Sequence, residues 1–235
     1  PAASEIPEDM VMIALPGTFD PAHFDHIDLL LESLVYITEQ ERGKPKTYAA
    51  FIAPVGENAP DPNGQYWKRD KTSAIHRHNL SKLLTDIFSP LVQTSLVSLI
   101  YPDSFGTENA IRLLELNRNQ KANKPRTADF YVACGYDTLV RWHKNFGDII
   151  TKYQPMLDYV KFKVIVRKSV SEISESVIRG PPYEVAVLPD QYLLGIHSTN
   201  IRTTGNLTLL PRSVREYITQ NKLYESSSPM EDNSR

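Results

Sequence analysis

Two histidines three residues apart, His23 and His26, stand just behind a glycine turn in the stretch Met12-Ile-Ala-Leu-Pro-Gly-Thr-Phe-Asp-Pro-Ala-His-Phe-Asp-His26. Imidazoles so spaced share one face of a helix's first turn, and each can offer a ring N–H near neutral pH. Gly17 lets the backbone turn tightly and come close to a ligand. A helix starting here adds N–H groups without intrahelical partners and the positive end of its dipole. Donors gathered in this way suit an anion, and a polyphosphate fits their spread. The elements that must position them are legible too. Val11 to Leu15 is a short apolar run stopped by Pro16-Gly17, which predicts a buried strand. Asp20-Pro21 predicts an N-cap with proline at the first helical position, and the apolar spacing from Ile27 to Leu34 continues the helix.

The pattern G-x-F-x-P-x-H-x-x-H resembles the first motif of the adenylyltransferase and cytidylyltransferase superfamily, which has a Rossmann-like fold. That resemblance implies that Gly17, Thr18 and Phe19 bind ATP and that His23 and His26 hold its phosphates. Further along, Pro54-Val55-Gly56, then Tyr66-x-Lys68-Arg69 with Ser73-Ala74-x-His76-Arg77, is similar to the second block of eukaryotic-type nicotinamide/nicotinate mononucleotide adenylyltransferases. The loop residues from Glu57 to Gln65 read as an insertion relative to that family. The resemblance makes Lys68 a phosphate contact, with Lys71 as second candidate. Fixed cations there stabilise the negative charge that builds when a phosphate attacks another phosphorus.

Two later blocks follow in family order. Gly135-x-Asp137 resembles a G-x-D block whose glycine and aspartate hold nucleotide ribose; alone, Asp137 reads as an ordinary N-cap. Gly195-Ile-His-Ser-Thr-Asn-Ile-Arg202 resembles the motif I-S-S-T-x-I-R, with His197 replacing the first serine. Ser198, Thr199 and Arg202 keep the matching positions, where hydroxyls cap phosphate oxygens and arginine neutralises them. The family stacks aromatic rings on the pyridine; Tyr101 is the residue nearest the first of those positions, and Trp142 or Phe146 is a candidate for the second. Leu209 to Tyr224 is similar to the family's closing helix and carries a Ser213-x-x-Glu216 capping-box pattern.

Composition bounds the rest. At 235 residues, 41% hydrophobic and 23% charged, the chain has the balance of a globular protein rather than a disordered one. With 26 basic against 28 acidic residues, no overall field favours nucleic acid or an anionic membrane, so a phosphate ligand needs a local cluster. The single cysteine, Cys134, cannot form an internal disulfide, which suggests a reduced intracellular compartment, cytoplasmic or nuclear. No apolar run reaches membrane-spanning length, and residues 1–10 lack the pattern of a signal peptide, reading instead as a flexible lead-in.

In order, the pattern predicts strands near residues 11–15, 48–54, 91–101, 130–134, 159–167 and 183–188. Helices are expected behind the first strand, over 73–88, over 108–116, from Asp137, at 171–175, and at both C-terminal blocks. Residues 225–235 read as a disordered tail. The expected fold is α/β: one Rossmann-like domain over residues 11–224, a parallel sheet of about six strands with helices on both faces. The resemblance implies an enzyme joining ATP and nicotinamide or nicotinate mononucleotide to give a dinucleotide and pyrophosphate, with Mg²⁺ carried on the ATP and oligomeric assembly common among relatives. Two rivals stand beside it: a superfamily enzyme with another phosphate acceptor, and a nucleotide-binding regulatory protein with little catalysis.

Overall fold

The computed structural model describes residues 10–41, 47–59, 71–103, 129–136, 138–139, 161–167, 184–188 and 196–224. The expectations for residues 1–9 and 225–235, for helices at 108–116 and 171–175, and for Lys68, Asp137, Trp142 and Phe146 lie outside the described residues.

The first apolar run forms β1 (Met10–Gly17), and its residues Val11 to Leu15 are all at most 3% exposed. Consecutive burial of that kind requires cover on both faces of the strand, the mark of an internal strand in a parallel sheet. The other strands are β2 (Thr47–Pro54), β3 (Val92–Thr94), β4 (Asp129–Gly135), β5 (Lys161–Arg167) and β6 (Glu184–Leu188). They form one six-stranded sheet in the order β3-β2-β1-β4-β5-β6, every pair parallel. This is the doubly wound, Rossmann-like order, whose direction of travel reverses between β1 and β4.

At that reversal the sheet splits. The β1–β4 ladder runs from Val11–Asp129 to Ala14–Val132, although the strands continue to Gly17 and Gly135. Over the same residues β1 stays paired with β2 as far as Gly17–Pro54, and β4 with β5 as far as Gly135–Arg167. The carboxyl ends of β1 and β4 therefore part, making the crevice where open α/β sheets bind ligands.

Helix α1 (Phe24–Gln40) covers one face of the sheet. Its Ile27, Leu30, Leu34 and Ile37 recur at helical spacing and are buried against Val11, Ile13, Leu15 and Ala50. Each fully buried side chain of this size contributes roughly 2 kcal/mol of transfer free energy. The helix begins later than the sequence suggests. His23, in extended conformation, is its N-cap, and Asp20 does not cap it because its carboxylate is bonded to Thr72 and Tyr224 instead.

Helix α2 (Ala74–Thr85), extended by a 3₁₀ turn over Asp86–Phe88, agrees with the expected span. The Glu57 carboxylate accepts the Ala74 N–H and so caps this helix from the β2 side. The third strand is much shorter than expected. Ser95 donates its N–H to the Ile52 carbonyl at 2.8 Å, and its hydroxyl then accepts the Val97 N–H, starting the one-turn helix α3 (Val97–Ile100). Alternating Leu, Val and Ser residues do not distinguish a strand from so brief a helix.

Near the C-terminus, α4 (Ser198–Thr204) is followed by α5 (Arg212–Gln220). Pro211 is the N-cap of α5, which puts Ser213 inside the helix, so the expected capping box does not form. The Tyr217 hydroxyl anchors α5 on α2 through His76 Nδ1 and Asn79 Nδ2, each at 2.9 Å. Among the described residues, no helix is long and apolar enough to cross a membrane.

Gly56, just beyond β2, is packed where no side chain fits. A Cβ added there would lie 2.1 Å from the Pro102 carbonyl oxygen, which accepts the Asn58 N–H, and 2.9 Å from that of Tyr101. Gly56→Ala is expected to destabilise the protein by about 2 kcal/mol, because both neighbours are backbone and must shift. Urea unfolding checks this, and a loss below about 0.5 kcal/mol would contradict the packing.

Candidate active site

The segment from Gly17 to His26 lies beside the crevice, and its shape is set by several independent contacts. Gly17 has the Phe19 ring beneath it, so close that a Cβ would lie 2.9 Å from Cζ. Phe19 adopts left-handed backbone, φ 54°, and presents its ring edge-on to His26 with centroids 4.9 Å apart. The His26 and His23 rings stack at 3.7 Å with a tilt of 36°. His26 Nδ1 accepts the His23 backbone N–H at 3.1 Å. When neutral, His26 therefore carries its proton on Nε2, which becomes a donor.

His23 differs in character. It is 5% exposed, and its Nδ1 has no hydrogen-bond partner among the described residues. Burial, reinforced by the neighbouring His197 imidazole, pushes its pKa down to about 4. At neutral pH it is an uncharged ring, able to donate one N–H but not to act as a cation.

This shift has a consequence for stability. Above pH 6.5 His23 is neutral in the folded and the unfolded chain, and nothing is lost. Below pH 6.5 the unfolded chain takes up a proton that the folded chain refuses until about pH 4, so stability falls as pH drops through that window. The difference between His23→Gln and the parent chain in urea unfolding should change by about 2 kcal/mol between pH 7.5 and 4.5, the parent losing more. A difference that stays flat would refute the burial of a neutral ring.

The C-terminal motif docks directly on this segment. The Ser198 hydroxyl donates to the Pro21 carbonyl at 2.9 Å. Arg202 Nη1 donates to the Asp20 carbonyl, and its Nη2 reaches Thr199 Oγ1 at 3.3 Å. Asp25, in the first turn of α1, accepts the Ile196 N–H at 3.0 Å and so fixes where α4 starts. Residue 197 is thereby held between two contacts to the start of α1, which brings His197 close to His23.

On the opposite side Arg77 holds the ends of β1 and β2. Its side chain is wholly buried and donates to the carbonyls of Thr72 at 2.9 Å, Thr18 at 3.2 Å, Val55 at 2.8 Å and Gly56 at 3.4 Å. The Glu57 carboxylate lies 3.8 Å from its Nη2. Lys71 Nζ donates to the Gly56 carbonyl at 3.3 Å, and burial, then the charge of Arg77, lowers its pKa.

Of the residues singled out from the sequence, Gly17, Thr18, Phe19, His23, His26, Ser198, Thr199 and Arg202 come together at the end of β1. Gly135 ends β4 on the other side of the crevice. Tyr101 follows α3, with its carbonyl against Gly56. Lys68, Asp137 and Trp142 lie outside the described residues. Asp20, Thr72, Arg77 and Tyr224 organise the site; the sequence offered Asp20 only as an N-cap and Arg77 only as part of the second block, and the long-range partners that give all four their roles are distant in sequence. Among the described residues no group of three His, Cys, Asp or Glu side chains is placed to hold a metal.

A six-stranded, Rossmann-like α/β domain with a donor-rich segment at its switch point is the class that fold and site define. The chain is similar over 92% of its length to 97% of the chain of a Plasmodium falciparum nicotinic acid mononucleotide adenylyltransferase complexed with APC, with a TM-score of 0.55 and 16% identity. The fold is thus that of a nucleotidylyltransferase neighbour. No family model and no curated protein matches the sequence.

Proposed function

We propose that this chain is an adenylyltransferase that joins ATP, carrying Mg²⁺, to nicotinamide or nicotinate mononucleotide, forming a dinucleotide and releasing pyrophosphate. The observation that carries this reading is the docking of Ser198 and Arg202 onto the Asp20-Pro21 backbone beside His23 and His26, at the crevice between β1 and β4. Support also comes from the neighbouring fold, described as a nicotinic acid mononucleotide adenylyltransferase.

In this reading the mononucleotide phosphate oxygen attacks the α-phosphorus of ATP while the bond to the β-phosphate breaks, with no covalent enzyme intermediate. Alignment of the two substrates and stabilisation of the developing charge supply the catalysis. His26, through Nε2–H, and neutral His23 donate to phosphate oxygens. Arg202 and Lys68 neutralise the charge that moves to pyrophosphate, while Ser198 and Thr199 cap the triphosphate. Gly17, Thr18 and Phe19 shape the floor, and Gly135 and Asp137 hold ribose. Tyr101 and Trp142 are the candidates for stacking on the pyridine. The Asp20 and Asp25 carboxylates are bonded elsewhere in the fold, so the described donors fit Mg²⁺ as a companion of the substrate's phosphates rather than as a resident ion.

Incubation with ATP, Mg²⁺ and each mononucleotide, followed by chromatography, tests the proposal: a dinucleotide and pyrophosphate should form in equal amounts. The hydroxyl and guanidinium of Ser198 and Arg202 bond to main-chain carbonyls, which favours a second reading of nucleotide binding without transfer. Calorimetric ATP binding with no product from any phosphate acceptor would select it.

A further inference from the structure

Asp20 is 1% exposed and ties together three segments that are far apart in the chain. Its carboxylate accepts the Thr72 N–H at 3.1 Å and the Thr72 hydroxyl, 52 residues away, and the Tyr224 hydroxyl at 2.6 Å, 204 residues away. Its main-chain carbonyl, on the same residue, accepts Arg202. A position fixed through its carboxylate therefore fixes the atom against which Arg202 rests.

Backbone conformation points to the same node. Phe19, just before Asp20, has φ 54°, and Tyr224, bonded to it, has φ 62°. For bulky aromatic residues the left-handed region costs on the order of 1 kcal/mol or more, and such residues persist only where their surroundings over-determine them. One lies next to the Asp20 end of a hydrogen-bonded link and the other at its Tyr224 end, in a turn where Lys222 is left-handed as well. The Phe19 ring lies edge-on to His26, so the geometry of this link also reaches the paired imidazoles. Burial, then the charge and hydrogen bond of Asp20, push the Tyr224 hydroxyl well above the usual tyrosine range, so it stays protonated as a donor.

We infer that Tyr224 is a positioning residue of the nucleotide site: its hydroxyl fixes Asp20, whose carbonyl sets the Arg202 guanidinium for a triphosphate. Tyr224 touches no reacting atom in this account; it acts through Asp20 and Arg202. The inference rests on the proposed nucleotide site, but not on which phosphate the enzyme transfers to.

The test is a double-mutant cycle on the full chain, read as ATP affinity by calorimetry. Tyr224→Phe should weaken ATP binding by about five- to tenfold in the parent, the scale of one ordinary hydrogen bond, because only part of the lost interaction is passed on to the site. In an Arg202→Ala background the same change should have no further effect, because the group being positioned is gone. Thr72→Val, which removes another donor to the Asp20 carboxylate, should show the same coupling and serves if Tyr224→Phe folds poorly. Tyr217→Phe, which loosens α5 from α2 without touching Asp20, should lower the thermal midpoint and leave ATP affinity within about twofold. Equal weakening in both Arg202 backgrounds, or equal weakening by Tyr217→Phe, would overturn the inference by reducing Tyr224 to a structural staple. ATP binding without transfer would sink the proposed function and leave the cycle readable, and a chain that binds no ATP would overturn both.

Discussion

Arg77→Met is expected to lower the free energy of unfolding by about 3–5 kcal/mol, the scale found when one partner of a buried charged contact is removed. The guanidinium is wholly buried and bonds to four carbonyls from three segments, so its removal takes their donor from the Thr18, Val55 and Thr72 carbonyls and leaves Gly56 with Lys71. Each such orphan costs roughly 1 kcal/mol or more. Methionine fills most of the volume but donates nothing. Arg77→Lys should recover no more than about half of the loss, since one ammonium cannot spread its donors over the span of a planar fork. Nucleotide affinity should fall as well, because two of the carbonyls belong to Thr18 and Val55, at the ends of β1 and β2. Urea unfolding with a calorimetric ATP titration measures both effects. A stability loss under about 1 kcal/mol would mean that water satisfies these carbonyls, which the burial of the side chain excludes.

The same residue shows what a sequence does and does not disclose. Six parallel strands and the β1–α1–β2 unit follow from local patterns, apolar runs closed by turn residues, whereas the approach of the C-terminal motif to the first one was legible only through the family resemblance. Arg77 stands in the second family-like block, yet nothing nearby in sequence marks it as the single fully buried guanidinium among the described residues. Asp20 misleads for a related reason. By type and position it is a fitting N-cap, yet Thr72 and Tyr224 are better partners once the chain is folded, and the cap passes to His23. Local chemistry proposed the right segment, and long-range hydrogen bonds chose which atoms it uses.

The third strand failed differently. Ser95 could equally continue a strand or start a helix, and only its N–H bond to Ile52 with the hydroxyl bond to Val97 decides. Tyr101 consequently approaches from the end of a helical turn rather than from a strand end. Any stacking role for it depends on that displaced approach.

His26 carries two separable roles on two ring nitrogens, and the largest loss of activity should follow from removing only one of them. Nδ1 accepts the His23 N–H and shapes the start of α1, whereas Nε2 is the donor assigned to phosphate. His26→Asn places an amide oxygen near the position of Nδ1 and nothing at Nε2. It should keep the helix start and the thermal midpoint, yet lower kcat by about 10²–10³, the usual cost of deleting one preorganised donor at a developing oxyanion. His26→Gln does the reverse. It can reach the position of Nε2 with an amide N–H but releases the His23 N–H, so it should lose about 1 kcal/mol of stability, as for other cap deletions, while keeping more activity than the asparagine variant. Steady-state dinucleotide formation and thermal unfolding of the two variants give opposite orders if the roles are divided in this way. An asparagine variant within about fivefold of the parent would place the essential donor elsewhere, among His23, Lys68 and Arg202.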